Sequence, residues 1–125
     1  MRIGYLGLGA MGGALSAHLA KGHDLTVIDR NPAAVAALVA KGAKAARSAA
    51  DLARDCDIIL LCLPRTSDVR DALFGPGGLA EGLAPGKLVI DQTSGNPGQT
   101  AKIAADLGRQ GVQMMDAPVS GGIPA

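Results

Sequence analysis

The opening of this chain constrains its fold more tightly than any other stretch. Ile3-Gly4-Tyr5-Leu6 is a short apolar run that leads straight into Gly7-Leu8-Gly9-Ala10-Met11-Gly12, after which Met11, Leu15 and Leu19 recur at helical spacing. The pattern is a strand, a glycine turn and a helix. Glycines at its first, third and sixth positions have separate physical uses. Gly7 can take the tight turn off the strand, Gly9 leaves the backbone open to a pyrophosphate, and Gly12 lets the helix pack close on the sheet. The helix N-terminus then offers free N–H groups and a partial positive charge to a diphosphate. Asp29 ends the next apolar run, at about the 20-residue spacing at which a carboxylate meets a ribose diol. A glycine-rich turn alone is weak evidence. Set between a strand and a helix and followed by that acid, it points to a nicotinamide or flavin dinucleotide.

Strand and helix signals alternate along the rest of the chain. Leu25-Thr26-Val27-Ile28 reads as a second strand. Asn31-Pro32 is an N-cap followed by proline at the first helical position. The helix it opens carries Val35, Leu38 and Val39 on one face and stops at Lys41-Gly42. A weaker strand covers Ala43 to Ala46, and Ser48 caps a helix with Asp51 in its first turn. Ile58-Ile59-Leu60-Leu61-Cys62-Leu63 is apolar at every position, as expected of a central parallel strand covered on both faces. Pro64 ends it. A short helix from about Ser67 to Leu73, the loop Gly75-Pro76-Gly77-Gly78 and the strand Leu88-Val89-Ile90-Asp91 follow. Asn96-Pro97 repeats the cap-then-proline signal before a helix that turns Ile103, Ala104 and Leu107 inward. Val112 to Asp116 is the last strand. This order predicts an α/β fold, a doubly wound and mostly parallel sheet with helices on both faces, formed as one domain over residues 1–125.

Composition narrows the function classes. With a formal net charge of +1 and 18% charged residues, the chain shows no basic footprint for nucleic acid or a membrane surface. No apolar run approaches the roughly 20 residues that span a bilayer. Met1-Arg2-Ile3-Gly4 has no signal-peptide layout and reads directly as a strand. Cys56 and Cys62 fit no metal spacing, so no metal site is expected, and a reducing cytoplasm is the default compartment. With one Tyr, one Phe and no Trp, the core must be built from small aliphatic side chains. Few platforms remain for stacking bases. His18 and His23 have no partner at catalytic spacing. Lys21, Lys41 and Lys44 read as solvated helix-end charges, and Lys102 has no visible source of a lowered pKa. Met114-Met115 reads as core filling.

Three more segments fall at strand C-termini, where open α/β sheets bind ligands. They are Leu63-Pro64, Asp91-Gln92-Thr93-Ser94 and Asp116-Ala117-Pro118-Val119-Ser120-Gly121-Gly122. Together with the glycine turn, and in order over the whole chain, they resemble the β-hydroxyacid dehydrogenases. That family includes 3-hydroxyisobutyrate dehydrogenase and tartronate semialdehyde reductase, and it is related to the NADP-binding domain of 6-phosphogluconate dehydrogenase. The resemblance implies a Rossmann-like domain in which Gly7, Leu8, Gly9, Ala10, Met11 and Gly12 lie along the cofactor diphosphate. It sets Asp29 and Arg30 at the adenosine ribose, Leu63 and Pro64 at the middle of the cofactor, and Thr93 or Ser94 by the nicotinamide. Ser120, Gly121 and Gly122 would hold the carboxylate of a small hydroxy acid or semialdehyde substrate. The family's acid/base lysine lies on a helix after the Ser-Gly-Gly loop, and no residue of this chain matches it. The helical domain that closes the pocket and builds the homo-oligomer is expected to lie outside these 125 residues, so the chain reads as the cofactor half of a dehydrogenase. No catalytic residue is therefore assigned within it.

Cofactor choice is drawn in two directions. Asp29 suits the ribose diol of NAD and repels a 2′-phosphate, by up to ~4 kcal/mol for unit charges 4 Å apart at an effective dielectric of 20. Arg30 is a planar fork suited to the phosphate of NADP. The balance favours NAD. Two other readings stay open: a non-catalytic dinucleotide-binding module, and a 6-phosphogluconate dehydrogenase-like or imine reductase-like enzyme.

Overall fold

The computed structural model describes residues 1–117, so Ser120, Gly121 and Gly122 lie outside the described residues. Six strands form one sheet in the order β3-β2-β1-β4-β5-β6, and every pair is parallel. The strands are β1 Arg2–Leu6, β2 Asp24–Ile28, β3 Lys44–Ala45, β4 Ile58–Leu61, β5 Leu88–Asp91 and β6 Gln113–Asp116. Between them run α1 Ala10–Ala20, α2 Pro32–Val39, α3 Ala49–Asp55, α4 Thr66–Phe74 and α5 Pro97–Gly108, with a short 3-10 turn over Leu79–Glu81. The doubly wound α/β expectation is met.

The caps act where the sequence puts them. Asn31 accepts the Ala33 N–H, Ser48 the Asp51 N–H and Asn96 the Gln99 N–H, so α2, α3 and α5 each start on a satisfied donor. Gly42 lets the chain leave α2 at φ +105°, and the Ala43 N–H returns to the Leu38 carbonyl.

Pleat alternation divides the core into two layers. Ile3, Tyr5, Leu25 and Val27 pack with Leu38 beneath α1 and α2. On the opposite face Leu52, Ile59, Leu61, Val69, Leu73, Val89, Ile103 and Leu107 pack among α3, α4 and α5. Tyr5 is fully buried, and its hydroxyl donates to Gln92 Oε1 at 2.5 Å. Burial, with Cys62 beside it, pushes this phenol well above its ordinary value.

Several expectations need correction. Helix α4 begins at Thr66 and ends at Phe74, one residue beyond each expected bound. The expected strands at 43–46 and 58–63 shorten to Lys44–Ala45 and Ile58–Leu61. Val39 does not join Leu38 in the core but is 45% exposed, because α2 ends there and the chain turns away. In α1 the fully buried positions are Gly12 and Ser16, while Met11, Leu15 and Leu19 flank them half-buried. Close seating on small residues sets that face. β4 is not equally covered on its two faces: Ile59 and Leu61 are buried, whereas Ile58 and Leu60 are intermediate. Met115 is 51% exposed rather than core filling. The register aligns Leu60, Ile90 and Met115 on one face of β4, β5 and β6, and α3, α4 and α5 all pack on the other.

Candidate functional site

The sheet order reverses between β1 and β4, and the chain leaves these two strands for helices on opposite faces of the sheet. Ligands of open α/β sheets bind in such a crevice, at the carboxyl edge. Gly7 turns the chain off β1 with φ +101°, a conformation that a side chain resists. A Cβ on Gly7 would run into the Cys62 carbonyl oxygen, and one on Gly12 into the Gly7 carbonyl oxygen. β1, β4 and α1 thus meet backbone against backbone. Gly9 is different. A Cβ there would meet nothing within 4 Å, and its φ of −64° is open to any residue.

Helix α1 follows at once with no side-chain cap and no acidic residue in its first turn. Its leading N–H groups have no side-chain acceptor among the described residues, and no acid in its own first turn offsets its partial positive charge. Among the helices, α2, α3 and α5 are capped by their own side chains and α4 carries Asp68 in its first turn. The exposed Gly9 and Ala10 and the half-buried Met11 present this terminus to solvent. Leu8 does not: it is 6% exposed and its side chain belongs to the core under α1.

A cleft of about 580 Å³ opens beside the turn. That is within the range of about 300–1,000 Å³ typical of small-molecule sites. One wall is Leu6, Gly7, Ile28, Asp29 and Arg30; the other comes from Leu63, Pro64, Arg65, Asp68 and the loop Pro76-Gly77-Gly78. Five of the sequence-selected residues, Gly7, Asp29, Arg30, Leu63 and Pro64, therefore share one cavity. The rest of the second wall, Arg65, Asp68 and Pro76-Gly77-Gly78, was not read from the sequence. Its signals were a glycine-rich loop and an Arg65–Asp68 ion pair at i,i+3, neither of which specifies a long-range partner.

Asp29 braces the turn with both carboxylate oxygens. Its Oδ2 accepts the Leu8 N–H at 2.5 Å and its Oδ1 accepts the Asn31 N–H at 2.8 Å. The carboxylate thereby ties the glycine turn to the end of β2, and the Gly7 N–H adds a bond to the Ile28 carbonyl. Each oxygen keeps a further acceptor site for a ribose hydroxyl. Arg30 is exposed at the same rim.

Thr93 and Ser94 part company. Thr93 is 4% exposed, with its Oγ1 accepting the Leu63 N–H at 3.0 Å and its own N–H given to Asp91 Oδ1 at 2.9 Å. Ser94 is exposed. Asp91, missed by the sequence reading, is 1% exposed. Burial pushes its carboxyl above the ordinary range, Thr93's hydrogen bonds act against that, and Asp116 adds to it. Cys62 is likewise raised by burial, so it is no ready thiolate nucleophile. His18, His23, Lys21, Lys41, Lys44 and Lys102 are all exposed, away from the cleft lining. No group of three or more His, Cys, Asp or Glu side chains could hold a metal among the described residues. Nor, among them, is any helix long and apolar enough to cross a membrane.

The residues present fit a dinucleotide: an open glycine, an uncapped helix start, an acceptor carboxylate beside the glycine turn and a cleft of small-molecule size. Comparison with known proteins agrees. The model of the NAD binding domain of 6-phosphogluconate dehydrogenase matches residues 2–125. The chain is 44% identical over 118 residues to 3-sulfolactaldehyde reductase of Escherichia coli (strain K12), covering 94% of this chain and 40% of that protein. The structure of Mycobacterium tuberculosis 3-hydroxyisobutyrate dehydrogenase with L-serine superposes with a TM-score of 0.88 at 33% identity, over 97% of this chain and 41% of that one. An imine reductase from Myxococcus stipitatus in complex with NADP+ superposes with a TM-score of 0.81 at 28% identity, over 93% and 40%. The chain thus spans about two-fifths of the length of the curated relatives it matches.

Proposed function

The chain belongs to the β-hydroxyacid dehydrogenase family and is its NAD(P)-binding domain, and from that premise we propose that it serves hydride transfer between a nicotinamide cofactor and a small 3-hydroxy acid or its semialdehyde. The observation that carries the reading is the open Gly9 at the uncapped start of α1, beside a cleft at the sheet's switch point. Backbone N–H groups from Gly9 to Gly12 hold the diphosphate there. Asp29 and Arg30 meet the adenosine ribose, with NAD favoured over NADP. Leu63 and Pro64 line the middle of the cofactor, and Ser94 faces the nicotinamide while Thr93 supports it from beneath. Ser120, Gly121 and Gly122 take the substrate carboxylate through hydroxyl and N–H donors. When bound, the nicotinamide supplies the hydride acceptor or donor.

Oxidising an alcohol also requires a group to take its proton. The family lysine that does so has no counterpart in these 125 residues, so that step is assigned to the rest of a full-length family member. By itself the chain should bind cofactor without turnover. Whole-protein assembly into a homo-oligomer and residence in the cytoplasm belong to the same proposal.

The test is Gly9→Ala. Because the added methyl meets no atom of the chain and the backbone there is extended, the variant should melt with the wild type. Its calorimetric affinity for NADH should fall by at least tenfold, since the methyl occupies the diphosphate's approach. Unchanged affinity in a folded variant would remove the glycine turn from the cofactor site.

A further inference from the structure

Three loops that the sequence presents separately are joined through one residue, Asp91. Asp91 is the last residue of β5, and its position leaves it 1% exposed. Burying a carboxylate costs free energy unless it is hydrogen-bonded. Here Oδ1 accepts the Thr93 N–H at 2.9 Å, and the Thr93 side chain lies against the same carboxylate. Thr93 Oγ1 in turn accepts the Leu63 N–H at 3.0 Å, reaching across to the end of β4. On the other side the Asp91 main-chain oxygen accepts the Ala117 N–H at 2.8 Å, where the chain leaves β6. The bonds run without a gap from Leu63 through Thr93 and Asp91 to Ala117.

Thr93 is too buried, and its hydroxyl oxygen too committed, to be simply a ligand-facing group. What it does is set the spacing between the loop after β4 and the loop after β5. We propose that Asp91 is a positioning residue, which holds Thr93 as a crossbar so that Leu63-Pro64 and Ser94 face each other at the separation a nicotinamide nucleotide needs. This rests on the cofactor reading above and extends it to a residue that touches no cofactor itself. The adenosine side stands on other supports, because Gly7 and Asp29 are tied to β2 and to Leu8 and Asn31. Loss of the crossbar should therefore fall on one half of the cofactor. Misplacement of about 1 Å is enough to cost binding or rate in such a site.

The experiment compares wild type, Asp91→Ala, Thr93→Val and Thr93→Ser, titrated by calorimetry with NADH and with ADP, which lacks the nicotinamide half. Amide hydrogen exchange at Leu63 is followed in the free protein. In Asp91→Ala and Thr93→Val the Leu63 N–H should exchange about tenfold faster. NADH should bind about tenfold more weakly, with ADP affinity held within twofold. Thr93→Ser, which keeps the hydroxyl, should restore both readouts. Should Asp91→Ala fail to fold, Thr93→Val preserves the side-chain volume and carries the same comparison. Equal losses for NADH and ADP would reduce Asp91 to general stability, and unchanged NADH affinity would overturn the proposal outright. If the wild type binds neither nucleotide, the cofactor reading itself has failed, and the positioning role falls with it.

Discussion

Replacing Asp29 with alanine separates the two tasks its carboxylate can perform. Within the chain it accepts the Leu8 N–H at 2.5 Å and the Asn31 N–H at 2.8 Å. Leu8 is 6% exposed and the bond is part-buried, so its N–H loses its partner. Orphaning such a donor costs about 1–3 kcal/mol. The Asn31 N–H is exposed and passes to solvent at little cost. At roughly 4 °C per kcal/mol for a domain of this size, the melting temperature should drop by about 4–12 °C. The second task concerns the ribose. Asp29 attracts the diol of NADH and repels the extra phosphate of NADPH, by ~1 kcal/mol if fully solvated and ~4 kcal/mol at an effective dielectric of 20. Its removal should weaken NADH binding and shift the NADPH-to-NADH affinity ratio towards NADPH by at least about fivefold, the lower of those energies. Differential scanning calorimetry and titration with both nucleotides read the two effects on the same samples. Asp29→Asn is the control, since it keeps one acceptor oxygen but no charge; it should lose less stability and still shift the ratio. An unchanged ratio would take Asp29 out of the ribose site, and an unchanged melting temperature would refute its bracing of the glycine turn.

Three further outcomes are expected. Gly12→Ala forces a methyl onto the Gly7 carbonyl oxygen, so it should destabilise the protein by 2 kcal/mol or more; a melt equal to that of Gly9→Ala would contradict the close seating of α1. Asp91 is raised by burial, so the folded state holds its proton more tightly than the unfolded chain does. Its contribution to stability is full below the ordinary carboxylate value of 3.8 and is lost as pH rises through the higher folded value; urea titrations across that window should show the slope in the wild type and its absence in Asp91→Asn. Met115 is 51% exposed on the edge strand β6, on the sheet face whose helices α1 and α2 pack at β1 and β2. Sedimentation velocity should accordingly show concentration-dependent association that Met115→Lys weakens, and a clean monomer at high concentration would count against it.

What could be read from the sequence alone was whatever acts over a few residues. Asn31, Ser48 and Asn96 cap their helices because a side-chain oxygen two or three positions from an N–H needs no distant partner. Gly7 and Gly12 sit where the turn demands them, and the alternation of apolar runs and helical periods gave the parallel α/β order. Tertiary structure decided the rest. Val39 and Met115 are apolar yet exposed, because burial depends on which helix crosses which strand, not on the residue itself. Asp29 turns onto Leu8, 21 positions away, and Thr93 onto Leu63, 30 positions away. Arg65, Asp68 and Gly77 reach the glycine turn only after β4 is laid beside β1. Local signals are written in neighbouring residues. A cleft and a buried carboxylate exist only once the sheet has brought distant strand ends to the same edge.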